Sequence, residues 1–275
     1  MKKILVPTDF SKCSSNALEV AVNLAKQFSA ELFLLHLERV MSVVHASGST
    51  EEEHVRSNRN LLFNLAEEAE KSGLHVHAIF VEDSGLETIE DYISPYGIDL
   101  IVMGSHGQSG IREQVIGSNT RRLVRKVNVP VLVIKTLRNS GIRFSKILFA
   151  STYRSNVKEQ CLCLRDFARI TNAQVHFLFL NLFYHLIHEE QINKLMDEHL
   201  EKFQGIQTFK SIAETNDELL GVSEFIMEVP VDLIAAVMEH PGIPARWLSP
   251  PLAERLIQEL NLPVLILPAN LHGPE

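Results

Sequence analysis

Cysteine is scarce: Cys13, Cys161 and Cys163 are the three in 275 residues. That number and spacing exclude a disulfide framework, and Cys161 and Cys163, two apart in a helical pattern, face away from each other. They read as reduced thiols of a cytoplasmic protein. Aromatic residues are also few, 7% with a single Trp. Positive charge is in deficit: 26 Lys and Arg against 34 Asp and Glu leave a formal charge of -8. A broad basic face for nucleic acid is therefore not expected. No stretch approaches the ~20 apolar residues that span a bilayer. The opening Met1–Pro7 has only a short apolar run, ending in Thr8-Asp9 without a small-residue cleavage site, and reads as a first strand, not a leader.

What is present is a globular mix, 45% hydrophobic and 22% charged, with apolar material for two cores. A length of 275 residues admits one large or two small domains. Strand and helix patterns alternate. Strands are expected at Lys3–Val6, Leu32–Leu37, Val76–Val81, Leu100–Met103 and Val131–Ile134, and helices at Ser11–Phe28, Glu51–Ser72, Glu87–Tyr96 and Ser118–Val127. Gly73 and Gly97 close two of the helices. Near-continuous apolar strands between helices mean a parallel sheet covered on both faces.

The pattern then restarts. Lys146–Phe149 echoes Lys3–Val6 at an offset of 143, and Asn261–Ile266 echoes Asn128–Val133 at an offset of 133. Asp232–Ala235 echoes Asp99–Val102 in between. The chain reads as a duplicated unit of about 130 residues. The expected fold class is α/β, two tandem Rossmann-like domains at 1–137 and 144–270, each an open five-stranded sheet. Thr136–Arg143 is the expected linker, and the tail after Pro268 is expected to fray.

Open parallel sheets bind ligands at the carboxyl ends of their strands, and two such ends carry unusual residues. Pro7-Thr8-Asp9-Phe10-Ser11 follows the first strand. Gly104-Ser105-His106-Gly107 follows the fourth, with Gly117-Ser118 opening the next helix. Gly104 is expected to permit a sharp turn off its strand. Gly107 and Gly117 are expected to let backbone N–H groups approach a phosphate. Ser118 suits an N-cap, and a helix start favours an anion. Arg121 and Arg122 could add positive charge or form a solvated face, and His106, if neutral, adds little. Asp9 has two readings: capping the following helix or shaping a turn, or a contact to a ribose hydroxyl, a base amino group or Mg²⁺. His36, in an apolar strand, reads as a hydrogen-bonded core histidine. His75 and His77 alternate on a strand and, without a third ligand, do not make a metal site.

These residues resemble the universal stress protein family. Its nucleotide-binding members carry Gly-x2-Gly-x9-Gly-Ser/Thr, matched here by Gly104, Gly107, Gly117 and Ser118. Lys3–Ser11 resembles the family's first strand with its nucleotide-contacting Asp, here Asp9. Leu34–Leu37 resembles the second, where Leu37 offers a backbone contact to adenine. Met103 resembles the residue before the glycine loop, and Asn128–Val133 the closing strand, which often pairs across a dimer. The resemblance implies a nucleotide-contacting set of Pro7, Thr8, Asp9, Leu37, Met103, Gly104, His106, Gly107, Gly117, Ser118 and Asn119. The ligand it implies is ATP or another adenine nucleotide, with Mg²⁺ as an optional companion. Asp83-Ser84-Gly85 departs from the family's Gly-x-Pro after the third strand.

In the second half the site is altered. Thr152 stands for Asp9, Val237 for Gly104, His240 for Gly107, and Pro250-Pro251 for Gly117-Ser118. Proline offers no N–H to a phosphate and Glu239 repels one. The expectation is a stress-response protein binding one nucleotide, its second half serving as an intramolecular pseudo-dimer partner, with further homodimerisation open. No catalytic set is evident beyond slow ATP hydrolysis. A nucleotide-free scaffold, or an adenylyl-transferring enzyme of a related α/β group, are the alternatives, although the enzyme's expected strand-one signatures are not matched.

Overall fold

The computed structural model describes residues 1–38, 51–82, 88–106, 116–135, 143–153, 157–239 and 250–270. Gly107, Asp83–Gly85, His240, Trp247, Thr136–Ile142 of the expected linker and the last five residues lie outside the described residues.

The first half runs β1 (Lys3–Pro7), α1 (Lys12–Phe28), β2 (Glu31–Leu37), α2 (Glu51–Glu70) and β3 (Val76–Val81), then a 3₁₀ turn (Ile89–Tyr92) into a short α3 (Ile93–Tyr96). It closes with β4 (Leu100–Gly104), α4 (Ser118–Lys126) and β5 (Val131–Ile134). The second half repeats the order: β6 (Lys146–Ser151), α5 (Lys158–Thr171), β7 (Gln174–Leu182), α6 (Glu189–Leu200), β8 (Thr208–Thr215), α7 (Glu218–Glu228), β9 (Leu233–Met238), α8 (Leu252–Glu259) and β10 (Val264–Pro268). The helix expected over Glu87–Tyr96 is instead split into a 3₁₀ turn and α3. Pro95 has no N–H for the carbonyl of Asp91, so a continuous α ladder cannot pass through it.

The described strands form one ten-stranded sheet in the order β3-β2-β1-β4-β5-β10-β9-β6-β7-β8. Pairing is parallel within each half, and β5 meets β10 antiparallel, with Val133 opposite Val264 and Val131 opposite Ile266. Alternate side chains go to opposite faces. Ile4 and Val6 face α1, and Phe28 of α1 meets Phe167 of α5 edge-on at 5.7 Å, so this core runs through both halves. Leu5, Ile101 and Met103 face the other way, into a core that includes Leu123 of α4 and Leu256 of α8.

The repeat extends to single hydrogen bonds. Asp99 accepts from the N–H groups of Lys2 and Lys3, as Asp232 does from Ser145 and Lys146. Phe10 and Tyr153 both adopt positive φ, 62° and 53°. Each donates its N–H to a hydroxyl two residues earlier, Thr8 Oγ1 at 3.1 Å and Ser151 Oγ at 2.9 Å. At Phe10 and Tyr153 the chain therefore leaves the first strand of each half with the same backbone form. No helix among the described residues is long and apolar enough to cross a membrane.

Candidate functional site

The turn after β1 is built from its own side chains. Ser11 caps α1, its Oγ accepting from Ser14 N–H at 3.2 Å. Asp9 Oδ1 accepts from Ser11 N–H at 3.1 Å. Asp9 thus shapes the turn, as one of its two readings expects, while also lining the adjoining cleft.

At the end of β4, Gly104 has a different task from the one expected, and the helix cap falls on a different residue. Gly104 lies within the strand; a Cβ there would sit 2.9 Å from Cys13 Sγ and 3.0 Å from the Cys13 carbonyl carbon. Its lack of a side chain admits the first turn of α1 against the strand, and is not needed for a bend. Gly117, not Ser118, occupies the N-cap of α4, with φ -59° and ψ 145°. The cause is tertiary: Gly117 N–H donates to Ser105 O at 2.8 Å, which holds Gly117 extended, and Ser118 is the first helical residue. A Cβ on Gly117 would lie 3.3 Å from His106 Cα, so the two loop segments close up here. Thr120 Oγ1 donates to Gly104 O at 3.0 Å and ties the helix start to the strand end.

The first i to i−4 bond of α4 runs from Arg121 N–H to Gly117 O at 2.9 Å. The N–H groups of Ser118, Asn119 and Thr120 therefore have no acceptor within the helix and form its positive end. They face a cleft of about 440 Å³, within the ~300–1,000 Å³ usual for small-molecule sites. Pro7, Thr8, Asp9, Leu37, Met103, Gly104, His106, Gly117, Ser118 and Asn119 all line it. Of the eleven residues expected from the sequence, Gly107 alone lies outside the described residues.

The cleft also brings in residues that the motif did not flag. Arg122 reaches it but is held by Glu90, Nε to Oε1 at 3.2 Å and Nη2 to Oε2 at 3.3 Å. Partial burial pushes the Glu90 carboxyl up, but the guanidinium together with hydrogen bonds from Thr88 and a backbone N–H outweighs it and holds the carboxyl below its ordinary range. Arg121 turns away, 3.7 Å from Glu254 of the second half. His36, Glu38, His54 and Asn58 form the far wall. Glu38 and Asn58 gave no local signal, because each belongs to the cleft only through the pairing of β2 with its neighbours and the packing of α2. His36 was read as a core histidine and is indeed buried and hydrogen-bonded, yet it lines the cleft as well. His77, by contrast, lies outside the cleft, bonded to Glu31 at 2.8 Å and stacked on Phe33.

The second half has a cleft at the matching strand ends, lined by Ser151, Thr152, Val237, Pro250, Pro251 and Arg255 among others. The tie made by Thr120 has no counterpart there, since Ala253 takes its place at the start of α8. Arg255 is held by Asp217 through two 2.8 Å bonds, the counterpart of Arg122 with Glu90.

A parallel α/β sheet whose strand ends converge on a glycine-lined cleft is a Rossmann-like architecture with the usual place for a ligand. The sequence model of the universal stress protein family matches residues 1–135, and the chain belongs to that family. Universal stress protein MJ0531 of Methanocaldococcus jannaschii is 33% identical over 139 residues, covering 49% of this chain and 82% of that protein. Universal stress protein MJ0577 of the same organism is 34% identical over 153 residues, covering 49% of this chain and 94% of that protein. Over the whole length, the crystal structure of a universal stress protein from Archaeoglobus fulgidus DSM 4304 shares the fold. Its TM-score is 0.73 at 18% identity, covering 98% of this chain and 96% of that one.

Proposed function

We propose that this chain is a cytoplasmic stress-response protein that binds an adenine nucleotide, ATP foremost, in the cleft of its first half. The second half, 144–270, is its tandem partner, related to 1–137 by the β5–β10 pairing and without a phosphate site. The observation that carries the reading is the convergence of the described motif residues, Gly104, Gly117 and Ser118, on one cleft together with the positive end of α4. Phosphates suit the N–H groups of Ser118, Asn119 and Thr120. Asp9, which would repel phosphate, suits a nucleoside hydroxyl or amino group, and Leu37 and Met103 supply an apolar wall for the base. A Mg²⁺ ion, if it accompanies ATP, would be held by the phosphates together with Asp9.

Titration calorimetry of the full chain with ATP, ADP and AMP tests this directly. One nucleotide per chain is the expected result. No binding of any of the three would overturn the reading, and two per chain would overturn the assignment of the second half.

A further inference from the structure

His36 sits near the carboxyl end of β2, between the rings of Phe10 at 4.5 Å and Phe80 at 5.3 Å. Its Nδ1 is 2.8 Å from the carbonyl oxygen of Thr8, and its Nε2 is 3.2 Å from Glu38 Oε2. A carbonyl can only accept, so Nδ1 carries a proton and donates. Nε2 then faces a carboxylate oxygen. For that contact to be a hydrogen bond, a second proton must lie between them, giving an imidazolium–carboxylate pair or a neutral imidazole with a protonated Glu38. Without that proton, a lone pair would face a carboxylate in a site where both side chains are only 9% exposed, an arrangement that buried groups avoid.

The pair is tied in on both sides. Asn58 Nδ2 of α2 donates to the same Glu38 oxygen at 2.7 Å, and His54 Nε2 lies 3.1 Å from Asn58. On the other side, the Thr8 carbonyl belongs to the peptide that leads into Asp9. Among the described residues, the other charged groups around the pair are Asp9 and the Arg122–Glu90 pair, which share the cleft, and the Arg59–Glu82 ion pair beyond the Phe80 ring. The second half supplies an internal comparison. Phe179 and Asn181 stand where His36 and Glu38 do, Phe179 stacking on Tyr153 at 5.4 Å as His36 meets Phe10. Asn181 instead bonds the backbone of Ile187. The pair is thus replaced in the same half as Asp9, Gly117 and Ser118.

We propose that His36 and Glu38 are a positioning pair for the nucleotide site, and that the one proton they share links nucleotide binding to pH. The inference rests on the nucleotide reading above. With the proton present, the pair is neutral overall and holds the Thr8–Asp9 peptide in place. When it is lost, one uncompensated negative charge remains in the cleft wall, against an anionic ligand.

The test compares nucleotide affinity of the full chain and of a Glu38→Gln variant at about pH 6 and about pH 9, either side of the range where imidazole ordinarily titrates. A glutamine NH2 in place of that oxygen can donate one N–H to a neutral His36 and the other to the Asn58 carbonyl once the Asn58 amide flips, so it satisfies both neighbours without the extra proton. The wild type is expected to lose roughly tenfold more affinity than the variant on raising the pH, the size of one charge acting across ~10 Å at an effective dielectric of about 20. The ligand's own titration is common to both proteins and cancels. Equal pH slopes would overturn the proposal, as would a folded variant that binds at neither pH. Nitrogen-15 NMR of the His36 ring in the free protein is the second measurement. With the proton held as imidazolium, both ring nitrogens are protonated at about pH 6; with it on Glu38, Nε2 is a hydrogen-bonded acceptor. A ring whose Nε2 is neither protonated nor hydrogen-bonded overturns the pair. A wild type that binds no nucleotide, yet shows the shared proton by NMR, condemns the nucleotide reading and not the pair.

Discussion

At the scale of the residue, Gly104 shows how one missing Cβ couples a strand to a helix. A methyl there would sit 2.9 Å from Cys13 Sγ and 3.0 Å from its carbonyl carbon, inside van der Waals contact and against backbone that cannot yield easily. Gly104→Ala should destabilise the protein by about 1–3 kcal/mol, as overpacking does, read as a lower midpoint in urea unfolding. Cys161 offers a second check. Burial pushes its thiol up to about 12, so little thiolate exists near neutrality and the native protein should leave Cys161 unalkylated by iodoacetamide. Rapid labelling of Cys161 without unfolding would contradict its buried position in α5. The glycine motif was legible from the sequence because spacing alone carries it. The reason for Gly104 was not, since Cys13 is ninety-one residues away along the chain.

At the scale of the element, α4 concentrates the argument. Its start is held by Gly117 N–H on Ser105 and by Thr120 on Gly104. Thr120→Ala, which copies Ala253 of α8, should lower stability by about 1 kcal/mol through the lost buried hydrogen bond, measured by thermal unfolding. The double change Gly117→Pro, Ser118→Pro copies Pro250-Pro251. The φ of Gly117, -59°, already suits proline, and proline is welcome at the first helical position. The fold should therefore survive, at a cost of about 1–2 kcal/mol for the bond to Ser105. Nucleotide binding should be lost, because the N–H of Ser118 disappears and a ring crowds His106. Circular dichroism and calorimetry on one sample would separate the two outcomes, and retained affinity would show that the phosphates lie elsewhere. The helix itself was legible from the alternation of strands and helices and from the Gly117-Ser118 start. Its cap was misplaced by one residue, because a Ser at the expected N-cap position competes with a glycine whose N–H finds a tertiary acceptor.

At the scale of the molecule, the two halves are joined by more than β5 and β10. Glu254 of α8 is 2% exposed and is held by Arg125 of α4, whose Nη2 lies 2.7 Å from Oε2. Lys135 Nζ donates to Gln258 O at 2.9 Å across the same boundary. Glu254→Ala would leave Arg125 without its partner in a half-covered site. It should cost about 1–3 kcal/mol, less than the ~3–5 of a fully buried pair because Arg125 remains partly solvated. Differential scanning calorimetry should show the loss, and an unchanged profile would mean that the halves do not depend on this contact. Acid should act through other pairs. Arg255 holds Asp217 below its ordinary range, and Glu90 is held below its own, against the effect of burial, by Arg122 with Thr88 and backbone hydrogen bonds. Depressed carboxyls add stability that is complete above their unfolded values, about 4, and is lost as the pH falls below them. The melting temperature should therefore decline below about pH 4 in low salt.

The alternation of strands and helices, the duplication and the glycine spacing were determined by the sequence alone. They depend on local periodicity and on residues close together in the chain, which no partner needs to complete. The site expected from them converges on one cleft because a parallel sheet brings the carboxyl ends of β1, β2 and β4 to the same edge. Only the tertiary structure decided that Gly104 serves packing, that Gly117 caps α4, that Arg122 arrives already paired with Glu90, and that His36 sits between the Thr8 carbonyl and Glu38 beside Asp9. Each of these turns on a contact between segments far apart in sequence, where distance and hydrogen-bond direction, not residue type, determine what a side chain does.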